Sequence, residues 1–541
     1  MAQAEALWVS DNFSEGDALA SAVCIPNSES TPETSLCAEV ICQADRYGGP
    51  GLGFSGGSGR CAVLGAVQIK GVGRTPLGTS KIDPFHSNGM VGFEEAMRET
   101  IWSEIARVAL PFGSVHTLAV IDTGIDYNFE PPGETVETRR RFLLLRQFAL
   151  RPAHYCRNVH FPTPINAETG LREDAVRTSN AVQALAPAFT QMFPACAATK
   201  NAVEIINIGL REVATRFAFQ NATAMVKRLY HGGLSPSNIA LDGRYLDFGT
   251  ITTVSKFGRR AIRPLESDFS NEHTLLLNAL LELRLFIAKY LKSSGGGKVI
   301  SPDELILGFN AVYHRAQQIE FLKLTGICES TVMAFPVEKA ERFRQCVMAL
   351  IGHRNAPFVT WSGAWGPNNE RPATRTLDVG NLLTALALSS NVADIQMRVA
   401  QEIGEICVAA DFIGLYVELR HLYLVRSTSD VERRSLTLEL ALNAVRRNAD
   451  LTFLDDSILL AKIGSRDATK TGVDDLVKST VSHATEILSD KYDIARRLAE
   501  SLKPGTKVPA EVTLNAILPG TAPALRREIT SQWEALWNTA H

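Results

Sequence analysis

With 541 residues, 45% of them apolar and 21% charged, the chain has the composition of a globular protein and core enough for roughly two to four domains, which excludes a disordered or fibrous one. A formal net charge of −3 leaves no global attraction to nucleic acid or to an anionic membrane, and no run reaches the roughly 18 uninterrupted apolar residues of a membrane span. Nine scattered cysteines never form Cys-x-x-Cys, so reduced thiols are expected rather than a zinc ribbon or a redox pair.

The N-terminus, Met1-Ala-Gln-Ala-Glu-Ala-Leu-Trp8, lacks the basic and apolar regions of a secretory leader, and the expected compartment is the cytoplasm. Asn27-Ser-Glu-Ser-Thr-Pro-Glu-Thr34 reads as a surface loop. Tyr47 to Arg60 then holds seven glycines in fourteen residues. Glycines let backbone N–H groups approach phosphate closely, although many glycine-rich stretches are plain linkers. The next segment favours the phosphate reading. Cys61-Ala-Val-Leu-Gly-Ala-Val-Gln-Ile-Lys70 reads as a strand, with Lys70 eleven residues after Gly59. A glycine-rich turn leading to a strand lysine is the kinase-like way of holding nucleotide phosphates.

Gly71-Val-Gly-Arg74-Thr-Pro76 turns away, and a polar loop runs to Asn88-Gly89. Met97, Ile101, Ile105 and Val108 recur at three- and four-residue steps, which predicts a helix from Phe93 to about Leu110. It carries Glu99 and Glu104, and a glutamate here pairs with the strand lysine in an active kinase-like lobe. A solvated helix carboxylate is the commoner role for either one. Val115–Asp122 reads as a strand, Asp126–Gly133 as a loop, and Arg141–Arg151 as a strand whose Arg146 and Arg151 suit phosphate oxygens. Helices are expected around 175–192, 202–229 and 270–291. Ser293-Ser-Gly-Gly-Gly-Lys298 lacks the second glycine spacing and the Ser/Thr of a phosphate loop, and reads as a linker.

The most informative stretch is His231-Gly-Gly-Leu-Ser-Pro-Ser-Asn238-Ile, followed by Leu246-Asp247-Phe-Gly249. An asparagine and an Asp-Phe-Gly nine residues apart, joined by a short apolar hairpin, offer two hard oxygen ligands of the kind Mg²⁺ uses beside phosphate. In kinases an aspartate in this loop orients the attacking hydroxyl; here the corresponding positions are Gly233 and Ser237. Losing such a base costs roughly 10²–10⁴-fold in rate, which disfavours ordinary phosphotransfer without disfavouring nucleotide binding. Beyond residue 301 the chain is expected to be helical, with Val392, Ile395, Val399, Ile403 and Ile406 in helical period and a second amphipathic segment at Tyr492–Leu502. Trp361-Ser-Gly-Ala-Trp365 is expected to serve packing.

Taken in order, these pieces resemble the selenoprotein O family of kinase-like protein adenylyltransferases. Gln68-Ile-Lys70-Gly-Val-Gly-Arg74-Thr-Pro76 is similar to the family's Gln-Leu-Lys-Gly-Ala-Gly-Arg-Thr-Pro, and Gly57-Ser-Gly-Arg60-Cys-Ala-Val-Leu-Gly65 to its Gly-Asp-Gly-Arg-Ala-x-x-Leu-Gly. Arg98-Glu99-Thr-Ile-Trp-Ser-Glu104, the His231–Asn238 loop, Asp247-Phe-Gly249 and the Phe309–Tyr313 and Lys323–Gly326 pieces extend the likeness over roughly residues 47–330. The resemblance implies an α+β, protein-kinase-like bilobal fold: an N-lobe over residues 1–135, a C-lobe over 136–300 and an α-helical extension over 301–541. It implies ATP bound in reverse, with AMP transferred and pyrophosphate released. Lys70, Glu99, Asn238 and Asp247 would be catalytic, and Asn238 and Asp247 would hold Mg²⁺ or Mn²⁺. The nucleotide would lie against Gly57, Gly59, Lys70, Arg74, Asn88, Gly89, Arg146 and Arg151.

The departures are Ser237 in place of the family's acidic base, Asn88 in place of an aspartate, and a loop between Lys70 and Glu99 about six residues longer. The expected acceptor is a protein or peptide, through a hydroxyl or a carboxylate; an acceptor already ionised needs no base, which favours a carboxylate activated as an acyl-adenylate, by analogy with siderophore-peptide (microcin) maturation. The competing expectation is a pseudokinase: a nucleotide-binding scaffold for a partner enzyme.

Overall fold

Continuous apolar runs such as Leu118–Ile121 and Phe142–Leu145, buried on both faces and separated by turns, build the first part of the chain into a single sheet. Its strands are β1 (Glu5–Val9), β2 (Gln43–Ala44), β3 (Cys61–Leu64), β4 (Val67–Lys70), β5 (Thr117–Phe129) and β6 (Glu137–Gln147). In the computed structural model they lie in the order β1-β5-β6-β4-β3-β2, every neighbouring pair antiparallel. The structure describes residues 4–25, 40–48, 57, 59–77, 88–129, 135–158, 168–254, 257, 259–262, 267–268, 271–291, 297–354, 358–360, 377–403, 408–466, 468–492, 494, 496 and 523–540.

The pleat sorts the sheet's side chains onto two faces. Ile69, Leu143 and Leu145 share one apolar cluster with Leu118, Ile121 and Ala18 of the short Glu15–Ala20 helix. Phe142 and Leu144 belong instead to the large core containing Met97, Ile101, Trp102 and Ile105 of the Phe93–Ala109 helix. Lys70 pairs with Leu144 and Gln68 with Arg146 in the β4–β6 register, so both polar residues stand on the helix-covered face. That register is what turns Lys70 toward the helix. The helix ends where Leu110 precedes Pro111 and goes extended (φ −113°, ψ 150°), as the residue before a proline is pressed to do.

Sheet and helices form a mixed α+β protein. The 25-residue Ala202–Val226 helix, capped by Asn201 accepting from Val203 and Glu204 N–H, lies against the Glu272–Tyr290 and Pro302–Leu324 helices. The Lys470–Leu488 helix returns to the start of the chain: Val473, Leu476, Val477 and Ile487 enter the same core as Trp102 and Leu7, and the helix packs on Phe93–Ala109 and β1. A buried lysine fixes this return. Lys227 Nζ donates to Ala109 O and Leu488 O, each at 2.8 Å, and meets Asp490 at 3.1 Å, putting one positive charge on the negative ends of two helices. A second core, with Phe343, Leu382, Tyr416 and Trp533, unites the later helices.

Several expectations are corrected. The segment Cys61–Lys70 is a hairpin, not one strand, because Gly65 takes φ 59° and folds β3 onto β4. Asp126–Phe129, expected as loop, continues β5 and pairs with Glu137–Arg140. The boundary expected at residue 135 therefore falls inside the β5–β6 hairpin, and the sheet runs on to Gln147. Phe358–Thr360, in the part expected to be helical, is a strand pairing in parallel with Arg259–Ile262. Trp361–Trp365 and most of Tyr492–Leu502, Tyr47–Arg60 and Ser293–Lys298 lie outside the described residues. No helix among the described residues is long and apolar enough to cross a membrane.

Candidate nucleotide and metal site

Lys70, at the end of β4, is the centre of a buried charge cluster. Its Nζ lies 2.5 Å from Glu99 Oε1, 3.0 Å from Glu95 Oε1 and 3.0 Å from Asp247 Oδ1. Glu95 and Glu99 are one turn apart on the Phe93–Ala109 helix and so share a face. Glu104, the other glutamate singled out on this helix, is rotated away and pairs with His116 (2.8 Å) and Arg107 (2.6 Å). Burial disfavours the ammonium of Lys70, but Asp247, Glu99 and Glu95 together raise its pKa above the ordinary lysine value.

Asp247 reaches this cluster from 177 residues away, carried by a hairpin. Ile239 bridges Tyr245, Ala240 N–H donates to Arg244 O, and Leu246 N–H donates to Asn238 O at 3.3 Å. Asn238 and Asp247 are thereby neighbours across the hairpin's open end. The hairpin is tied to the chain leaving the Phe93–Ala109 helix, since Val115 N–H donates to Tyr245 O and Tyr245 N–H to Gly113 O. Asp247 holds φ 65°, a conformation a non-glycine residue keeps only where its surroundings enforce it. Burial would raise its pKa, but Lys70 and then Arg146 outweigh burial and hold the carboxyl well below the usual range. Glu99, more deeply enclosed, is pushed upward by burial. Asn238 donates to Gly233 O (2.8 Å), and its Oδ1 accepts from Ser237 Oγ (3.2 Å).

The loop before Asn238 has no group free to take a proton. His231 is buried, its ring Nε2 bonded to Leu246 O at 3.1 Å, and burial pushes its pKa down to about 4. Ser235 and Ser237 bond each other at 2.9 Å. A Cβ on Gly233 would stand 2.7 Å from Thr250 Oγ1, which donates to His231 O, so Thr250 fills the space a side chain at 233 needs.

The two arginines sit on one buried network. Arg151 is ion-paired with Asp45, donates to Ser237 O (3.1 Å) and lies over the Tyr47 ring at 4.7 Å. Arg146 Nε donates to Gln68 Oε1 (2.6 Å), and Gln68 donates in turn to Asp45. Burial would raise the Asp45 pKa, yet Arg151 and His154 hold it at about 2. Among the described residues, Arg146 Nη1, 3.6 Å from Glu99 Oε2, and Arg151 Nε are buried without a hydrogen-bond partner. Unpartnered guanidinium donors of this kind are what an anionic ligand could satisfy.

The glycines bring backbone close rather than line the cluster by side chain. Gly57 and Gly59 take φ 88° and 70°, and Gly59 O accepts from Thr75 N–H. A Cβ on Gly89 (φ 76°) would meet Gly73 C at 2.2 Å, and Asn88 Oδ1 is engaged by Met90 N–H at 2.8 Å. Arg74 is exposed on the 71–77 turn, and no contact among the described residues joins it to the Lys70 cluster.

Four participants were not singled out from sequence as site residues. Glu95 and Asp45 sit in no motif, and Arg60 was read only as part of a glycine motif. Glu272 opens the Glu272–Tyr290 helix and accepts from Gly232 N–H (2.7 Å) and His231 N–H (3.3 Å), holding the loop backbone. Burial pushes its pKa up to about 8. For Glu95 a signal was legible nonetheless: it stands four residues before Glu99.

Among the described residues no group of three or more His, Cys, Asp or Glu is placed to hold a metal. Asn238 and Asp247 offer two hard oxygen donors on neighbouring positions of the hairpin, the kind of donor Mg²⁺ takes. No family model matches the chain, and no curated protein matches it in sequence.

Proposed function

We propose that this chain binds ATP with Mg²⁺ or Mn²⁺ in a kinase-like cleft around Lys70 and transfers AMP to a protein or peptide acceptor, releasing pyrophosphate. The observation that carries the reading is the meeting of Lys70, Glu99 and Asp247, three residues from separate motifs, within 3.0 Å of one ammonium. Lys70, Arg146 and Arg151 would take phosphate oxygens, and Glu99 would keep Lys70 in place. Asn238 Oδ1 and Asp247 would hold the cation, whose chemistry is to neutralise phosphate charge.

Charge balance supports a metal requirement. Arg60, Lys70, Arg146 and Arg151 face Asp45, Glu95, Glu99 and Asp247, so the cluster is formally neutral. Bringing a polyanion into a half-buried neutral site is costly unless a cation accompanies it.

The absence of a base in the 231–238 loop favours an acceptor that is already ionised. A carboxylate oxygen attacking the α-phosphorus forms an acyl-adenylate; the bond from the α-phosphorus to the α,β-bridging oxygen breaks, and pyrophosphate leaves with the electron pair. No proton has to move. The second reading, a scaffold that binds ATP without turning it over, rests on the same loop.

ATP labelled separately on the α- and γ-phosphates, with Mg²⁺ or Mn²⁺ and cell extract as acceptor source, separates them. Adenylyl transfer releases labelled pyrophosphate from γ-ATP and leaves α-label on AMP or an acceptor. γ-Label on an acceptor overturns the proposal, and ATP-dependent thermal stabilisation without turnover favours the scaffold. Asp247→Asn is expected to abolish metal-dependent turnover with the fold retained; a variant with full activity would show the metal assignment to be wrong.

A further inference from the structure

Glu95 enters the nucleotide reading only through its charge, yet its carboxylate lies between two of the cations. Its Oε1 is 2.7 Å from Arg60 Nη2 and 3.0 Å from Lys70 Nζ, and its Oε2 is 3.2 Å from Arg60 Nη1. Arg60 is anchored from the other side by Met90 O at 3.3 Å. The four carboxylates of the cluster differ in access. Asp45 and Glu99 side chains are 4% and 2% exposed, while Glu95 and Asp247 are 31% and 38% exposed. The two sealed ones have assigned cations, Arg151 and Lys70. Of the two open ones, Asp247 is the candidate metal ligand. Glu95 is left partly exposed and held by the same cations that a phosphate needs.

We propose that Glu95 is an internal competitor for the phosphate site: its carboxylate bridges Arg60 and Lys70 in the absence of nucleotide and yields them to an incoming phosphate. This rests on the nucleotide reading and adds Arg60 as a phosphate contact. The carboxylate stands in for a phosphate oxygen, with comparable charge and two acceptor atoms spanning two donors. Its consequence is a sign. Removing most residues from a binding site weakens binding, whereas removing this charge strengthens it. Glu99 is the control, since it holds Lys70 from the sealed side and its loss lets the lysine wander.

The test is calorimetric titration of wild type, Glu95→Gln and Glu99→Gln with Mg·ATP and, separately, with tripolyphosphate, which reports on the phosphate subsite alone. Glu95→Gln is expected to tighten both ligands on the order of tenfold, because the carboxylate competing for Arg60 and Lys70 from the exposed side is gone, while Glu99→Gln, whose sealed carboxylate positions Lys70, weakens both. Glu95→Ala provides the same reading if the amide variant melts early. Wild type that binds no Mg·ATP at millimolar concentration overturns the nucleotide reading itself. Wild type that binds, with Glu95 variants that bind equally or more weakly, overturns only the role of Glu95 and marks it as a positioning residue for Arg60 or a metal ligand.

Discussion

The central ammonium and its three carboxylates show how far a residue-level rule carries. A lysine at the end of a short strand and a glutamate on the next helix were readable as a pair because kinase-like lobes combine the two. Which glutamate was a question of angle. Glu99 and Glu104 are five residues apart, about 140° around the helix, so only one can face Lys70, whereas Glu95 and Glu99 differ by about 40° and both do. Glu272 shows the opposite case, a residue with no sequence signature whose role follows from burial. Its folded pKa of about 8 lies above the ordinary carboxyl value of 4.5, so the folded state binds the extra proton. The contribution of Glu272 to stability is therefore fully present below pH 4.5 and is lost as pH rises through about 8. Urea titrations across that window should show Glu272→Gln with a flatter pH dependence than wild type; an unchanged slope means the group is ionised throughout.

At the scale of elements, the Phe93–Ala109 helix joins the fold to the site. Met97, Ile101, Trp102 and Ile105 are fully buried against the sheet and the Lys470–Leu488 helix, while Glu95 and Glu99 emerge on the side facing Lys70. The apolar face sets the rotation of the helix, and the rotation sets the ion pair. Trp102→Ala is expected to cost about 3–5 kcal/mol, the range for deleting a large buried aromatic, measured by chemical denaturation. A loss under about 1 kcal/mol would mean that this face is not the core contact the geometry makes it. Helix periods were legible because they are local. The hairpin break at Gly65 and the continuation of β5 through Asp126–Phe129 were not: a glycine between two apolar runs fits a strand or a turn equally, and a polar segment becomes strand when a partner such as Glu137–Arg140 lies alongside.

For the whole molecule, part of the later chain shares the first core, while the other later helices form a second. One apolar cluster contains Leu7, Trp102, Leu210, Leu476 and Leu488, and Lys227 ties the ends of two of its helices. A chain ending at residue 300 leaves the outer side of the Phe93–Ala109 helix uncovered and is expected to be insoluble or to lack a cooperative melt. A soluble 1–300 fragment with a near-ultraviolet circular dichroism signal would instead make the first 300 residues independent.

Residue order alone was enough for whatever depends on neighbours a few positions apart: most helix periods and the hairpin that sets Asn238 beside Asp247. Residue type alone also shows that neither Gly233 nor Ser237 carries a carboxylate. Tertiary packing was needed to bring Asp247 to Lys70, to place Glu95 on the same cations, to close the space at Gly233 with Thr250, and to fold Lys470–Leu488 back onto the first sheet. Most of these contacts join residues tens to hundreds of positions apart, and they are fixed by which apolar faces bury each other, which no local pattern encodes.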